Sequence, residues 1–189
     1  MTELTPPDIR AQKEDELLVV RCQLGERPAF DQLIERWHEP VAKYLRRLAG
    51  TEEAAEEVAQ DAWLRILRGI GRLRDGRKLR PWLFGIARRA LMDRLREQYA
   101  LPTLTEVEMA DIPAEPANAD LEDDLRTMER HLGELPAVER EVLTLFYLRE
   151  LSLNDVAEVL GVPVGTVKSR LFRARQLLRR AIDSHGGCT

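Results

Sequence analysis

The sequence predicts an all-helical protein built from two small domains, and three observations support this prediction. Apolar residues recur at helical spacing along most of the chain, and no stretch alternates as a half-buried strand would. Proline and glycine divide the helical segments at regular points. The 189 residues, of which 44% are hydrophobic, are enough to bury one moderate core or two small ones.

Composition divides the chain into two domains and a linker. Three prolines, scattered acids and weak periodicity mark the stretch that follows the fourth helix, which is typical of a flexible connection. The predicted organisation is a tail at 1–13, a first domain at 14–98, a flexible acidic linker at 99–119, a second domain at 120–184 and a tail at 185–189.

Helix start and stop signals place four helices in the first domain. One is expected near 14–24, and Pro28 opens a longer one that Pro40 interrupts or kinks. Thr51 can cap the third, and Glu52 and Glu53 in its first turn favour the positive end of the helix dipole. A glycine-containing basic loop then leads to a fourth helix opened by Pro81. The predicted buried stripe of the third helix is Val58, Ala62 and Ile66.

The second domain contains a helix-turn-helix signature. Ser152 with Asp155 three residues later is a capping box, Gly161 suits the left-handed residue that ends a helix, and Pro163 opens the next helix. Pro136 opens an earlier helix through VEREVLTLFYL. A further helix that precedes Pro136 is marked by Leu121, Leu125, Met128 and Leu132.

Charge is sorted by segment, although the net charge of -4 alone argues against nucleic-acid binding. Residues 65–96 carry eleven Arg or Lys against two acids, and residues 159–182 carry six against none. In contrast, residues 101–134 carry ten acids against two arginines, and residues 51–64 carry five acids and no base. An acidic helix beside a basic one suits one protein partner and one nucleic-acid partner.

The last long helix directs an aromatic side chain away from the core. At about 100° per residue, Val167 falls on one arc with Leu171, Ala174 and Leu178, so Phe172 points outward among basic residues. An outward aromatic can meet thymine methyl groups in a major groove while cations neutralise phosphates. The alternative to DNA binding is that this face is simply a solvated basic surface with one exposed aromatic residue.

The helix after Pro81 is also two-sided. Its apolar side includes Trp82, which either stacks on a base or packs in the core. The other side groups Gly85 with Arg88, Arg89, Met92 and Arg96. A glycine on an exposed face allows another backbone to approach the helix closely, and the arginines could bind a single strand of nucleic acid.

Two segments resemble the extracytoplasmic-function (ECF) sigma factors of the sigma-70 family. LRELSLNDVAEVLGVPVGTVKSRLFRARQLL resembles their region 4, and EEAAEEVAQDAWLRILRGI with LRPWLFGIARRALMDRLRE is similar to their region 2. The resemblance implies an all-helical subunit that binds core RNA polymerase, at the beta-prime coiled coil and the beta flap. It also implies recognition of promoter DNA, help in opening the duplex, and control by an anti-sigma factor.

The resemblance assigns residues to three surfaces. Region 4 would bind the minus-35 element through Thr166, Lys168, Ser169, Arg170, Phe172, Arg173 and Arg175. Region 2 would bind and melt the minus-10 element, where a flipped base enters a pocket, through Arg74, Asp75, Gly76, Arg77, Lys78, Arg80, Arg88, Arg89 and Met92. The polymerase would be bound by Glu57, Gln60 and Asp61. The sequence departs from the common WLFRIARN pattern at Gly85 and Arg89.

Other functions are less well supported by the sequence. An autonomous helix-turn-helix regulator would explain the second domain but not the first. We expect no enzyme, because phosphate loops, dinucleotide fingerprints and hydrolase motifs are missing. We also expect no cofactor or metal site, although His185 and Cys188 are weak candidates. Isolated cysteines, no signal peptide and no long apolar run predict a cytoplasmic protein without membrane insertion.

Overall fold

The structure is a computed structural model that describes residues 9–99 and 130–185. Helices joined by short turns make up these ranges, and no strand is present in them, which confirms the all-helical prediction. No helix of the described ranges is long and apolar enough to cross a membrane. The predictions for residues 100–119, Leu121, Leu125, Met128 and Cys188 lie outside the described residues.

The first domain contains the helices α1 (Ile9–Gln23), α2 (Arg27–Arg46), α3 (Glu52–Gly69) and α4 (Leu79–Tyr99). Two 3₁₀ turns, Ile70–Arg72 and Gly76–Lys78, join α3 to α4. The second domain contains α5 (Ala137–Leu143), which continues as a π-helical turn (Thr144–Leu148), and then α6 (Leu153–Leu160) and α7 (Val164–His185).

The predicted start of α1 was wrong, and of the two alternatives predicted for Pro40, an interruption or a kink of α2, the structure excludes the interruption. The predicted tail at 1–13 overlaps α1, which begins at Ile9. Two contacts stabilise the first turns of this helix. Arg36 Nη2 of α2 donates to the Ala11 carbonyl at 3.1 Å, and Arg10 pairs with Glu14. Pro40 does not interrupt α2, which runs on to Arg46. The buried residues on both sides of the proline keep that helix in place.

The cap predictions are confirmed. Thr51 Oγ1 accepts a hydrogen bond from Ala54 N at 3.2 Å and starts α3. The Ser152 hydroxyl accepts from Asp155 N at 3.1 Å and donates to the Asp155 carboxylate at 2.7 Å, which starts α6. Gly161 ends α6 with φ +68°, in the left-handed region that favours glycine.

The core of the first domain is centred on aromatic rings. Tyr44 and Trp37 of α2 both pack edge-on against Phe84 of α4, at centroid distances of 5.4 and 6.4 Å. Trp82 is half-buried and packs on this core, which supports the packing alternative for that residue. The predicted stripe of α3 is buried, and its members are Val58, Ala62 and Ile66.

The two domains pack against each other, which the sequence did not predict. Helix α6 lies against α4, and the buried residues of both domains form one continuous cluster. Gly85, expected on an exposed face of α4, is buried. The side chain of Arg89 in the same helix lies over this glycine, since Arg89 Nη1 is 3.6 Å from where a Cβ on Gly85 would be.

Gly161→Ala should lower the free energy of unfolding by about 1 kcal/mol, because a Cβ is strained at positive φ. Nothing lies within 4 Å of the added Cβ, so backbone conformation alone sets the cost. Urea denaturation followed by circular dichroism measures it. Gly165→Ala is the matched control, since it also adds a methyl group in open space but has ordinary helical φ. It should be neutral or stabilising, and equal losses in both variants would contradict the prediction.

Candidate nucleic-acid and polymerase interfaces

The orientation of α7 is set by what it buries. Val167, Leu171 and Ala174 are at most 3% exposed, and they pack on the core of the second domain. Because these residues fix the rotation of the helix, the opposite side must face solvent. Phe172 lies there and is 60% exposed, as the helical spacing predicted.

The predicted minus-35 residues form one outward surface, which we call the recognition face. Lys168, Ser169, Phe172, Arg173 and Arg175 are exposed. The remaining members are half-buried, namely Thr166 and Arg170. An exposed aromatic among cations on the second helix of a helix-turn-helix is suited to entering a major groove.

Several polar groups of the recognition face are already hydrogen-bonded. Ser169 Oγ donates to the Thr166 carbonyl at 2.9 Å, and Arg175 Nε donates to the Leu171 carbonyl at 3.2 Å. Arg173 Nε lies 3.2 Å from a carboxylate oxygen of Glu139, which is buried at the start of α5. Arg173 is nevertheless 70% exposed, so its guanidinium remains accessible.

The predicted minus-10 loop is shaped by Asp75 and Gly76. The Asp75 carboxylate accepts from the backbone and the side chain of Arg77, and this side-chain hydrogen bond is the main cause that lowers the pKa of Asp75. A Cβ on Gly76 would lie 3.0 Å from the Glu16 Cα, so the loop passes α1 too closely for a larger residue. Arg74 is exposed at the start of the loop.

Two predicted minus-10 cations are paired with acids of the second domain. Lys78 Nζ lies 2.6 Å from Asp155 and 3.1 Å from Glu158, both in α6. Arg88 Nε lies 3.1 Å from Glu141 in α5.

Arg80 is paired within the first domain. It contacts the buried Asp15 at 3.3 Å and lies over the Trp37 ring. Of the remaining two predicted residues, Arg89 is exposed and Met92 is half-buried against the core.

The acidic residues of α3 lie on its outer side. Glu57 pairs with Arg94 at 2.6 Å, and Asp61 pairs with Arg65 at 2.7 Å. Gln60 is exposed between them. These three side chains are therefore accessible from the same side of the first domain.

Beside Gln60 runs a groove of about 710 Å³ between α2 and α3. Its walls include Ile34, Trp63 and Leu64, and Leu64 is 52% exposed. The buried indole nitrogen of Trp63 has no hydrogen-bond partner in the described ranges. Sequence reasoning missed this groove, although Leu64 was detectable as an apolar residue outside the buried stripe of α3.

The described residues contain no cluster of His, Cys, Asp or Glu side chains that could hold a metal ion. Cys22 is a free, buried cysteine, and burial raises the pKa of its thiol. Neither observation identifies a metal-binding or reactive residue.

Comparison with known proteins matches both domains separately. Residues 33–100 match the model of Sigma-70 region 2, and residues 125–178 match that of Sigma-70, region 4. The RNA polymerase sigma-H factor of Pseudomonas aeruginosa is 31% identical, over 91% of this chain and 95% of its own length. The ECF RNA polymerase sigma factor SigM of Mycobacterium tuberculosis is 35% identical, over 92% of this chain and 87% of its own.

Solved structures show the same fold. CnrH in complex with the cytosolic domain of CnrY aligns with a TM-score of 0.64 and 26% identity, over 90% of this chain and 97% of its own. The sigma factor RpoE of Bartonella quintana, in complex with the anti-sigma factor NepR, aligns with a TM-score of 0.66 and 26% identity. This alignment covers 82% of this chain and 96% of RpoE. From both family models and these relatives, the chain belongs to the sigma-70 family and is an ECF RNA polymerase sigma factor.

Proposed function

We propose that this chain binds core RNA polymerase, directs it to promoters through minus-35 and minus-10 elements, and helps to open the duplex. The observation that carries this proposal is the exposed Phe172 among cations on a helix-turn-helix. The separate acidic side of α3 gives the same chain a surface for a protein partner. Promoter-specific runoff transcription with purified core enzyme, with and without the chain, tests the proposal.

At the minus-35 element, the recognition face enters the major groove. Phe172 contacts a thymine methyl group, Lys168 and Arg173 reach base edges or phosphates, and Arg170 and Arg175 support phosphate contacts. The overall negative charge of the chain weakens binding to free DNA, so the polymerase supplies part of the affinity.

At the minus-10 element, the loop from Arg74 to Leu79 forms the pocket for a flipped base. Arg88 and Arg89 of α4 hold the single strand through its phosphates. The close approach of Gly76 to α1 supports this assignment, because it fixes the loop against a rigid helix.

At the polymerase, Glu57, Gln60 and Asp61 contact the coiled coil of the beta-prime subunit. We include the neighbouring groove in this surface, because the exposed Leu64 offers an apolar anchor. The domain limits that accompany these assignments are 14–98 for region 2 and 120–184 for region 4.

We also propose that an anti-sigma factor regulates the chain and that it acts in the cytoplasm as a non-enzymatic factor. CnrH and RpoE are similar in fold and were solved with CnrY and the anti-sigma factor NepR. Phosphodiester synthesis then belongs to the polymerase. An autonomous helix-turn-helix regulator remains the alternative, and it predicts specific promoter binding without core enzyme.

Arg173→Ala should weaken minus-35 recognition by about 1 to 3 kcal/mol and relax preference at one base position. Promoter selection by the holoenzyme, measured on a minus-35 library, is the readout. Arg179→Ala removes the same charge from an exposed site outside the predicted contacts and should leave the base preference unchanged.

Glu139→Gln is a second control, because it weakens the ion pair of Arg173 without changing α7. It should keep normal promoter selection. A loss of selection in this variant would assign the Arg173 effect to the pair rather than to DNA.

Joint replacement of Gln60 and Asp61 by Ala should lower affinity for core polymerase and leave the fold intact, because both side chains lie outside the core. Fluorescence anisotropy of labelled chain with core enzyme measures the affinity. Glu53→Ala, exposed on the same helix, is the control for loss of negative charge. If the double variant bound core polymerase with unchanged affinity, Gln60 and Asp61 would not be part of the polymerase interface.

Leu64→Ala should lower the same affinity by about 1 to 2 kcal/mol if this leucine is an interface anchor. Leu24→Ala truncates a leucine that is 74% exposed in the turn after α1, away from the groove, and should have no effect. Equal affinities for the two variants would exclude the groove from the polymerase interface.

A further inference from the structure

We propose that α1 positions the minus-10 loop, and that Gln23, Asp15 and Arg80 are positioning residues for base selection. The loop runs from Arg74 to Leu79, and α1 contacts the chain before it, within it and directly after it. Arg80 then acts through Asp15 rather than by touching DNA. The inference rests on the proposed function, because it takes this loop to be the pocket for the flipped base.

The loop has little packing of its own that could fix its shape. Between the buried Leu73 and Leu79, each residue is exposed or half-buried. Gly76 has no side chain to anchor it, and the exposed pair of Asp75 with Arg77 contributes little. A pocket that selects a base must hold its contact groups within about 0.5 Å of the productive position. The shape of the loop must therefore be set by a neighbouring element.

Gln23, in the last turn of α1, ties down the start of the loop. Its Nε2 donates to the Leu73 carbonyl at 2.7 Å and lies 3.5 Å from the Ile70 carbonyl. Leu73 directly precedes Arg74, so this hydrogen bond fixes the point at which the loop begins. Gln23 itself is exposed, and its replacement would leave no cavity in the core.

The middle of the loop passes directly over the same helix. A Cβ on Gly76 would lie 3.0 Å from the Glu16 Cα and 3.4 Å from the Glu16 Cβ. Glu16 precedes Gln23 by about two helical turns. The contacts at the start and in the middle of the loop are therefore made to one continuous helix.

Arg80 holds the end of the loop through a buried carboxylate. The Asp15 side chain is 3% exposed, and its Oδ2 accepts from Arg80 Nε at 3.3 Å. Its Oδ1 lies 3.0 Å from Arg36 Nε of α2. The Arg80 guanidinium also lies over the Trp37 ring, 5.4 Å from the centroid. Moving Arg80 to a phosphate would take one partner away from a buried charge, which is strongly unfavourable.

The test measures the minus-10 base preference of the holoenzyme, with labelled promoter fragments that carry each of the four bases at each minus-10 position. Gln23→Met keeps the length of the side chain but removes the amide donor. It should reduce the preference at the flipped base about three- to tenfold. The minus-35 preference and the affinity for core polymerase should not change, because Gln23 lies outside both surfaces.

Gln32→Met is the matched control. Gln32 Oε1 accepts from Arg21 Nη1 at 2.8 Å, so this variant also removes one hydrogen bond of α1, but one that is made to α2. It should keep the wild-type minus-10 preference. The inference is overturned if Gln23→Met keeps that preference too. It is also overturned if both variants lose it equally, because a general loosening of α1 would then explain the loss.

Arg80→Met separates positioning from direct contact with DNA. If Arg80 positions the loop, the variant loses base preference, and the salt dependence of DNA binding stays as in the wild type. If Arg80 binds a phosphate, all minus-10 sequences are weakened alike, and the slope of log K against log[salt] falls by about 0.7. The second result would overturn the role assigned to Arg80. If Arg80→Met does not fold, Gln23→Met against Gln32→Met decides the inference.

The wild-type holoenzyme separates this inference from the proposed function. Wild-type holoenzyme that selects bases at the minus-10 element, with Gln23→Met matching it, would overturn only the positioning by α1. Wild-type holoenzyme without any promoter preference would overturn the proposed function, whatever the variants do.

Discussion

The packing of the two domains depends on the burial of one carboxylate, that of Glu141. A charge removed from water must be paired and hydrogen-bonded, or its burial is strongly destabilising. Tyr44 and Arg88 of the first domain satisfy this requirement with hydrogen bonds of 2.7 and 3.1 Å. Around this pair, the buried residues of both domains join into one cluster, with α6 against α4.

The segregation of charge along the chain has a structural consequence. Some of the basic residues that we propose as DNA contacts lie within reach of acids of the same molecule. Lys78 with Asp155 and Arg173 with Glu139 are pairs of this kind. The pair of Lys78 joins the two domains, whereas the pair of Arg173 lies within the second domain.

The family and the local elements were predictable from the sequence. Thr51, Ser152 and Gly161 are recognisable caps because their chemistry acts on neighbouring backbone groups. The exposure of Phe172 followed from helical periodicity, since Val167 and Leu171 lie on the opposite arc and pack on the core. The start of α1 was not predictable, because Arg36 of another helix stabilises it through the Ala11 carbonyl.

Within the candidate sites, the sequence determined which residue types face outward on each helix, because the 3.6-residue repeat fixes directions relative to a buried stripe. Only the tertiary structure decided what those residues meet. Arg88 is bound to Glu141, since α5 and α6 pack against the first domain at a distance of more than fifty residues along the chain. The groove beside Leu64 likewise exists only where α2 and α3 come together. Helical periodicity can be read from one helix, whereas an interface depends on which two helices pack together. No local sequence pattern specifies that pairing.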